Sequence, residues 1–270
     1  MKENLDTPIA YGRTAEIYAW HNEKVLKLFY NWFELDDIKY ELRIAQAIQS
    51  SGLTVPLVGE IIQINGRNGL TYQRIEGVSM LEMMARKPWN GFYYARRMAE
   101  LHAKMHADTI QADLPSLHQK IAYKINHAKA LPADLRRKTL DLLEKMPEGN
   151  RLCHGDYHPN NILLTKQGEV IIDWIDSALG NPLADLARTT ILSIGATETN
   201  QLTNPFLKTF VRIFHGIYIR RYFSIHAGGQ YEYPLWLPIV AAARLSENIA
   251  ELEKWLIAQV QKGLSKVCPT

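Results

Sequence analysis

The side chains best suited to catalysis lie close together in residues 152–164, LCHGDYHPNNILL. This stretch contains a cysteine, two histidines, an aspartate and two asparagines, with apolar residues at both ends. Such side chains serve three kinds of site: a metal centre, a cysteine nucleophile or a loop that transfers phosphoryl groups. The spacing of the residues distinguishes the three.

A metal centre would use His154, Asp156 and His158, which alternate and are all of ligand type. Alternate residues share a face only where a strand continues, and Pro159 with Asn160 predicts a loop instead. A His/Asp metallohydrolase is therefore a minor alternative. It would show tightly bound transition metal and no affinity for ATP.

A cysteine nucleophile is also disfavoured. Cys153 and His154 are neighbours in the chain, and neighbours on a strand point to opposite faces. A base on the wrong face cannot activate the thiol. We therefore expect Cys153 to be a small core residue.

Phosphoryl transfer fits the spacing best. Asn161 follows Asp156 by five positions, which is the spacing of the aspartate and asparagine in the kinase catalytic loop. A carboxylate such as Asp156 can orient an attacking hydroxyl and take up its proton. Asn161 offers a neutral oxygen ligand for Mg²⁺, and Asp173, directly after the apolar run 170–172, offers a carboxylate. We expect these three residues to converge on one point.

The residues that hold the phosphates must come from elsewhere in the chain. Lys27 lies between Leu26 and Leu28 on a strand-like run and is the candidate for the phosphate-binding lysine. Glu41 in the next helix is its expected partner, since Glu34 precedes that helix. An ordinary exposed lysine on a strand is the alternative interpretation of Lys27.

A loop covering the phosphates is expected within residues 11–20, YGRTAEIYAW. Its one glycine, Gly12, departs from both the G-x-G-x-x-G and the P-loop patterns. Backbone N–H groups of Gly12, Arg13 and Thr14 can still bind phosphate. A plain hairpin turn explains these three residues equally well.

The elements that must position these residues suggest two lobes. Residues 16–20 and 24–30 predict a hairpin, residues 34–51 a helix, and residues 60–75 two more strands around a glycine-containing turn. Beyond Gly77 the pattern is mostly helical. We expect an α+β fold, with a β-rich N-lobe of one helix over residues 1–76 and a larger α-rich C-lobe over residues 77–270.

Composition excludes several classes of function. The chain has 270 residues, a formal net charge of +3 and two cysteines. So small a net charge does not indicate a nucleic acid or an anionic membrane as a binding partner. No apolar run reaches the roughly 18 residues that a membrane-spanning helix needs. The N-terminus lacks a signal-peptide core, and two distant cysteines suit a reduced compartment. A cytoplasmic protein is expected, and no obligate protein partner is evident.

Four stretches together resemble the aminoglycoside phosphotransferase and choline kinase-like family: residues 11–20, 101–106, 152–164 and 170–187. The resemblance follows the chain in order and is most specific over residues 152–187. It implies a bilobal, protein-kinase-like fold, the use of ATP with Mg²⁺, and phosphorylation of a hydroxyl group on a small molecule. A catalytically inactive nucleotide-binding relative is the alternative.

The resemblance also implies a role for each matching residue. Asp156 becomes the catalytic base, Asn161 and Asp173 the Mg²⁺ ligands, Lys27 the phosphate lysine and Glu41 its partner. Adenine is expected against the backbone of the connector near Gln73 and Ile75. His154 and Asp185 are expected to brace the catalytic loop, and His102 and His106, one helical turn apart, to make packing and polar contacts beneath it.

The acceptor is expected to be a small molecule. Trp174 and Ile175 replace the Phe-Gly of the protein-kinase D-F-G motif, and no A-P-E motif follows. A sugar, an amino alcohol and an aminoglycoside all remain open. The chain beyond residue 190 contains five acidic and eight basic residues. This excess of basic residues weakens the case for a polycationic antibiotic as the acceptor. The aromatic residues there could cage a quaternary ammonium, although such rings more often form core.

Overall fold

The computed structural model describes residues 5–21, 23–107, 112–200 and 202–267. Its contacts divide the chain into two compact units. The first comprises Met1–Met80, Gln111–Leu114 and Asn160–Ile175, and the second Leu81–Ile110, Pro115–Pro159 and Asp176–Thr270. The first holds an antiparallel sheet and the second is mainly helical, which confirms the predicted α+β class.

The secondary structure follows a simple order along the chain. The strands are β1 Ala10–Tyr11, β2 Ala15–Trp20, β3 Lys24–Phe29, β4 Val58–Ile64, β5 Arg67–Gln73, β6 Val78–Ser79, β7 Arg151–Cys153, β8 Ile162–Thr165, β9 Gly168–Ile171 and β10 Ala178–Gly180. The helices are α1 Leu35–Ser50, α2 Met80–Arg86, α3 Gly91–Ala107, α4 Leu117–His127, α5 Ala133–Leu143, α6 Pro182–Ala196, α7 Pro205–Ile225, α8 Tyr233–Arg244 and α9 Glu253–Val267.

The main sheet of the first unit has the order β1-β2-β3-β5-β4, and its neighbours pair antiparallel. Both predicted hairpins are confirmed. Asn65 and Gly66, with φ of 51° and 82°, form the tight turn between β4 and β5, the conformation that favours Asn-Gly in two-residue hairpins.

Alternation along β3 determines where its lysine points. Leu26 and Leu28 pack into the core on one face of the sheet, whereas Phe29 packs with Ile38 of α1 on the other. Lys27 shares its face with Phe29, because strand side chains alternate. Lys27 is therefore directed to the face that α1 covers.

Helix α1 places a carboxylate on that same face. Ile38, Glu41, Ile44 and Ile48 are its buried residues, spaced as one helical face requires. Leu42 and Ala45 of the same helix are only half-buried. Glu41 therefore faces the sheet together with the isoleucines of this helical face.

The second unit packs its helices around a core rich in large side chains. Helix α3 lies against α7, and α8 lies against α6 and α9. Tyr157, Tyr218, Tyr222 and Trp236 are among its fully buried residues, so these rings are core. Strands β7 and β10 pair antiparallel beside the helices. Within the described residues, no helix has both the length and the apolar character needed to cross a bilayer.

Candidate active site

Three predicted residues of the first unit meet at one point. The Lys27 Nζ atom lies 2.8 Å from Glu41 Oε1 and 3.3 Å from Asp173 Oδ1. Burial alone would lower the pKa of the Lys27 ammonium, but the two carboxylates outweigh it and raise that pKa above its ordinary value. Lys27 is thus a permanent, fixed cation, which is what binding of phosphate requires.

Tyr72 adds a contact that sequence reasoning missed. Its hydroxyl donates to Glu41 Oε1 at 2.8 Å, the same oxygen that accepts from Lys27. Burial and the nearby Glu41 charge raise the pKa of Tyr72 well above its usual range, so the hydroxyl stays a donor. Tyr72 on β5 therefore holds Glu41 in position for the lysine.

A hairpin brings the two predicted metal ligands to one end. Strands β8 and β9 pair with Ile162 opposite Ile171, and the Ile172 amide donates to the Asn161 carbonyl at 3.0 Å. Asn161 directly precedes β8, and Asp173 lies just past β9. Both side chains are oxygen ligands of the kind that Mg²⁺ prefers, so the residues present fit that ion.

Asp173 has an unusual backbone conformation. Its φ is +64°, in the left-handed region, which costs energy for a non-glycine residue but which Asp and Asn tolerate best. The Asp173 side chain remains 41% exposed. An exposed carboxylate oxygen beside a fixed lysine is available to a ligand.

The other predicted nucleotide contacts lie in turns of the first unit. Gly12, Arg13 and Thr14 connect β1 to β2, and the Gly12 amide donates to the Ala15 carbonyl at 2.8 Å. The Gly12 amide is therefore engaged within the turn, and phosphate would have to compete for it. Gln73 ends β5, with Ile75 two residues further on. Their contact with adenine stays a prediction.

Asp156 belongs to the second unit and lies in a tight loop after β7. Gly155 has a φ of +79°, and a Cβ there would lie 2.6 Å from the Asp176 carbonyl oxygen, so only glycine fits. The Asp156 amide donates to His154 Nδ1 at 3.2 Å, and His158 Nε2 lies 3.4 Å from Asp156 Oδ2. The loop thereby fixes the position of this carboxylate.

The charge state of Asp156 is set by its neighbours. Burial opposes ionisation, but the hydrogen bond and charge of His158, with the charges of Arg188 and His154, hold the pKa of Asp156 at about 2. Arg188 also donates from Nε to the Gly155 carbonyl at 3.0 Å. Asp156 is therefore an anion throughout the neutral range, suited to accept a hydrogen bond from a hydroxyl.

Asp185 holds the loop from beneath. Its Oδ2 accepts from the His154 amide at 2.7 Å, and its Oδ1 accepts from the Gly155 amide at 2.8 Å. Oδ2 also lies 3.1 Å from His102 Nε2 and 3.2 Å from His106 Nε2. These contacts agree with the expected bracing role.

The two histidines of α3 complete this buried network. An ionised carboxylate only accepts hydrogen bonds, so each histidine donates from Nε2 to Asp185. Each Nδ1 then accepts from a tyrosine hydroxyl, Tyr218 for His102 and Tyr222 for His106.

His102, His106 and Asp185 also form the one group of three metal-ligand side chains found among the described residues. The ring nitrogens and carboxylate oxygens of the group are already engaged with one another, with two tyrosine hydroxyls and with two backbone amides. We interpret the group as a hydrogen-bonded support. His154, Asp156 and His158 do not form such a group in the described parts of the chain.

Replacing Asp185 with Asn is expected to lower the free energy of unfolding by about 2 kcal/mol or more, because an amide cannot accept from all four buried N–H groups. Urea unfolding measures the change. The matched control is Asp141→Asn, which removes an exposed carboxylate on α5 and should be nearly neutral. Equal stability of the two variants would contradict the role of Asp185.

Stability is expected to fall as the pH falls from 7 to 5. Burial and the neighbouring His106 lower the pKa of His102 from 6.5 to about 3, and burial lowers that of His215 to about 4. Below pH 6.5 the unfolded chain binds protons that the folded chain excludes, which costs roughly 1.4 kcal/mol per pH unit for each histidine. Urea unfolding at pH 7, 6 and 5 tests this. A flat or rising profile would contradict it.

The fold is of the protein-kinase-like class. Residues 12–219 match the model of the phosphotransferase enzyme family, which is most of the chain. The chain therefore belongs to the phosphotransferase enzyme family.

Solved structures with the same fold extend over nearly the whole chain. A choline/ethanolamine kinase family protein from Mesorhizobium loti is 15% identical, with a TM-score of 0.58, and the match covers 98% of this chain and 86% of that one. A complex of the amicoumacin kinase hAmiN with AMP-PNP, Ca²⁺ and Ami is 15% identical, with a TM-score of 0.61 and coverage of 96% and 87%.

An aminoglycoside-3'-phosphotransferase of type VIII is 19% identical, with a TM-score of 0.57 and coverage of 89% and 90%. At such identities these likenesses concern the fold alone. No curated protein matches the chain in sequence.

Proposed function

We propose that this protein transfers the γ-phosphoryl group of ATP, bound with Mg²⁺, to a hydroxyl group of a small molecule. The observation that supports this most is the contact of Lys27 with both Glu41 and Asp173, at 2.8 Å and 3.3 Å. A braced lysine beside a carboxylate after a strand is the phosphate- and metal-binding half of a kinase site. The hAmiN complex with AMP-PNP supports a nucleotide of this kind.

In this proposal the first unit holds the nucleotide. Lys27 neutralises charge on the phosphates, and Glu41 with Tyr72 keeps the ammonium in place. Asn161 and Asp173 are the residues that would hold Mg²⁺, which supplies charge neutralisation at the phosphate oxygens. The backbone near Gln73 and Ile75 is proposed to meet adenine.

Asp156 acts on the acceptor. A carboxylate with a pKa of about 2 is a weak base, so its first task is to orient the hydroxyl by accepting a hydrogen bond. As the new bond from the acceptor oxygen to the γ-phosphorus forms, the bond from the γ-phosphorus to the β-phosphate oxygen breaks and ADP leaves. The hydroxyl becomes acidic only as this happens, so the proton passes late to Asp156 and then to solvent.

The experiment that tests the proposal is an assay of ADP release with candidate acceptors: sugars, amino alcohols, hydroxy amino acids and aminoglycosides. We expect release to rise with one class of acceptor and to stop with EDTA. Binding of MgATP without acceptor-dependent release over the whole panel would favour an inactive nucleotide-binding protein instead.

A further inference from the structure

One face of helix α6 contacts the loop of Asp156 at several points. Arg188 and Thr189 lie three and four residues after Asp185, so the three side chains leave the same side of the helix. Asp185 accepts hydrogen bonds from two backbone amides of the loop. Arg188 and Thr189 donate to carbonyls of the same loop. These two donors add a restraint that the bracing by Asp185 does not supply.

The two donated bonds lie on either side of Asp156. Arg188 Nε donates to the Gly155 carbonyl, and Thr189 Oγ1 donates to the Tyr157 carbonyl, both at 3.0 Å. The Gly155 carbonyl belongs to the same planar peptide unit as the Asp156 amide, so Arg188 restrains the backbone directly before the carboxylate. Thr189 restrains the peptide unit that follows Tyr157. The backbone around Asp156 is thus held from one helix on both sides.

Arg188 is itself held in place by a second element. Its Nη2 atom lies 2.6 Å from Glu247 Oε1, and its side chain is only 13% exposed. Glu247 belongs to the short helical turn Leu245–Glu247, which follows α8. Because the guanidinium is a planar, rigid fork, the pair with Glu247 also sets the direction of the Nε–H bond. The donor to the loop is therefore oriented in advance.

Thr189 is held by burial. It is fully buried, and a β-branched side chain has few rotamers in a helix. The buried Thr139 and Thr190 donate to carbonyls four residues earlier in their own helices, the usual local bond of a helical threonine. Thr189 donates to the loop instead, and its hydroxyl also contacts that of Tyr218. Its hydroxyl therefore serves a tertiary contact.

The loop has further anchors besides these two bonds. The Tyr157 hydroxyl donates to the Met98 carbonyl at 2.8 Å, and the Tyr157 ring stacks on His102 with 4.0 Å between the ring centroids. Asp185 holds two amides of the loop. We therefore expect the loss of one donated bond to loosen the backbone around Asp156 without unfolding the loop.

We propose that Arg188 and Thr189 are positioning residues for Asp156. They restrain the backbone before and after it, so that its carboxylate keeps the orientation in which it accepts the hydroxyl of the acceptor. This rests on the proposed phosphotransferase function. Because a misplacement of about 1 Å can cost on the order of 10²-fold in rate, their loss should lower kcat and leave the KM for MgATP nearly unchanged.

Thr189→Val removes the hydroxyl and keeps the branched shape. We expect kcat, measured as acceptor-dependent ADP release, to fall roughly ten- to hundred-fold, and Thr189→Ser to restore most of it. Thr139→Val is the matched control, because Thr139 is equally buried but bonds within α5, and it should keep the wild-type kcat. Thermal unfolding shows whether each variant is folded. Unchanged kcat in Thr189→Val, or no recovery in Thr189→Ser, would overturn the inference.

Arg188→Lys separates positioning from charge. Lysine keeps the positive charge, but it cannot hold Glu247 and the Gly155 carbonyl through one planar fork. We expect kcat to fall about ten-fold or more, whereas Arg137→Lys, an exposed change on α5, should have no effect. Full activity of Arg188→Lys would mean that Arg188 acts through its charge alone, which contradicts a positioning role.

Hydrogen exchange measures the restraint without any assay of transfer. Followed by mass spectrometry, the amides of residues 154–158 should exchange faster in Thr189→Val and in Arg188→Lys than in the wild type, because the loop opens more readily. Thr139→Val should match the wild type in this segment. Wild-type exchange in both loop variants would contradict the inference.

The same experiments separate this inference from the proposed function. If the wild-type protein transfers the phosphoryl group and both loop variants keep its kcat, the proposed function stands and the positioning roles are wrong. If the wild-type protein shows no acceptor-dependent ADP release, the proposed function is wrong, and with it the roles of Arg188 and Thr189 in catalysis, whatever the exchange rates are.

Discussion

Asp156→Asn is expected to reduce phosphoryl transfer by about 10²–10⁴-fold, the usual contribution of a positioned base, while the affinity for MgATP stays nearly unchanged. Asn keeps the size of the side chain and can still lie beside His158, but it cannot take up the hydroxyl proton. The loss should appear in kcat, because Lys27 and Asp173, the residues that we propose to hold the nucleotide and its metal, belong to the first unit. ADP release at saturating acceptor and calorimetry with MgATP give the two quantities.

Asp141→Asn, an exposed change on α5, is the matched control and should retain wild-type turnover. The pH profile adds a second check. Because the pKa of Asp156 is about 2, activity should show no acidic limb from this residue between pH 5 and 8. Near-normal turnover of Asp156→Asn on the true acceptor would contradict its assignment as the base.

Asp173→Asn is expected to remove most of the dependence of ATP binding on Mg²⁺. Asn tolerates the left-handed backbone at this position, so the variant removes the negative charge and leaves the conformation. Losing an anionic metal ligand should cost several kcal/mol in the transition state, roughly 10²–10³-fold in rate. The ratio of ATP affinities with and without Mg²⁺ should fall towards one.

Affinity for ATP in EDTA supplies the internal comparison. Asp173 holds Lys27 at 3.3 Å, so its neutralisation leaves the ammonium freer to meet the phosphates, and metal-free affinity should be kept or improved. Asp37→Asn, an exposed change in the first turn of α1, is the control. If Asp173→Asn responds to Mg²⁺ as the wild type does, Asp173 is not a metal ligand.

The contact of Lys27 with Glu41 followed directly from sequence patterns. Strand alternation puts Lys27 on the face that α1 covers, and the helical spacing of Ile38, Glu41 and Ile48 turns that glutamate to the sheet. Each pattern involves residues that are close together in the chain, so a single sequence is enough to recognise it. Their functional roles remain predictions, as do those of Asp156, Asn161 and Asp173.

Contacts between distant segments were harder to predict. Tyr72 is an ordinary β-strand tyrosine in the sequence, and only the pairing of β3 with β5 brings it to Glu41. The position of Arg188 beside Asp185 could have been predicted from the sequence. Arg188 lies three residues after Asp185 and therefore on the same side of α6. The loop that both residues contact follows β7, about 30 residues earlier in the chain.

The charged residues around one small cavity of the second unit were missed for a related reason. Beyond residue 190 the basic residues outnumber the acidic ones, but such a count does not show where the charges lie in the fold. The structure adds Lys120 and Lys124, one turn apart on α4, to Arg188 and Arg244. Asp176 lines this cavity, and Glu247 pairs with Arg188, one of its lining residues. Only tertiary packing shows which charges share a space.

The most direct test of phosphoryl transfer to a hydroxyl is phosphorus NMR of a reaction containing the wild-type protein, MgATP and the acceptor that raises ADP release most. We predict a new phosphate monoester resonance that grows in step with ADP, and its loss when Asp156→Asn replaces the wild type. Inorganic phosphate as the sole product, or equal monoester formation by the variant, would contradict the account.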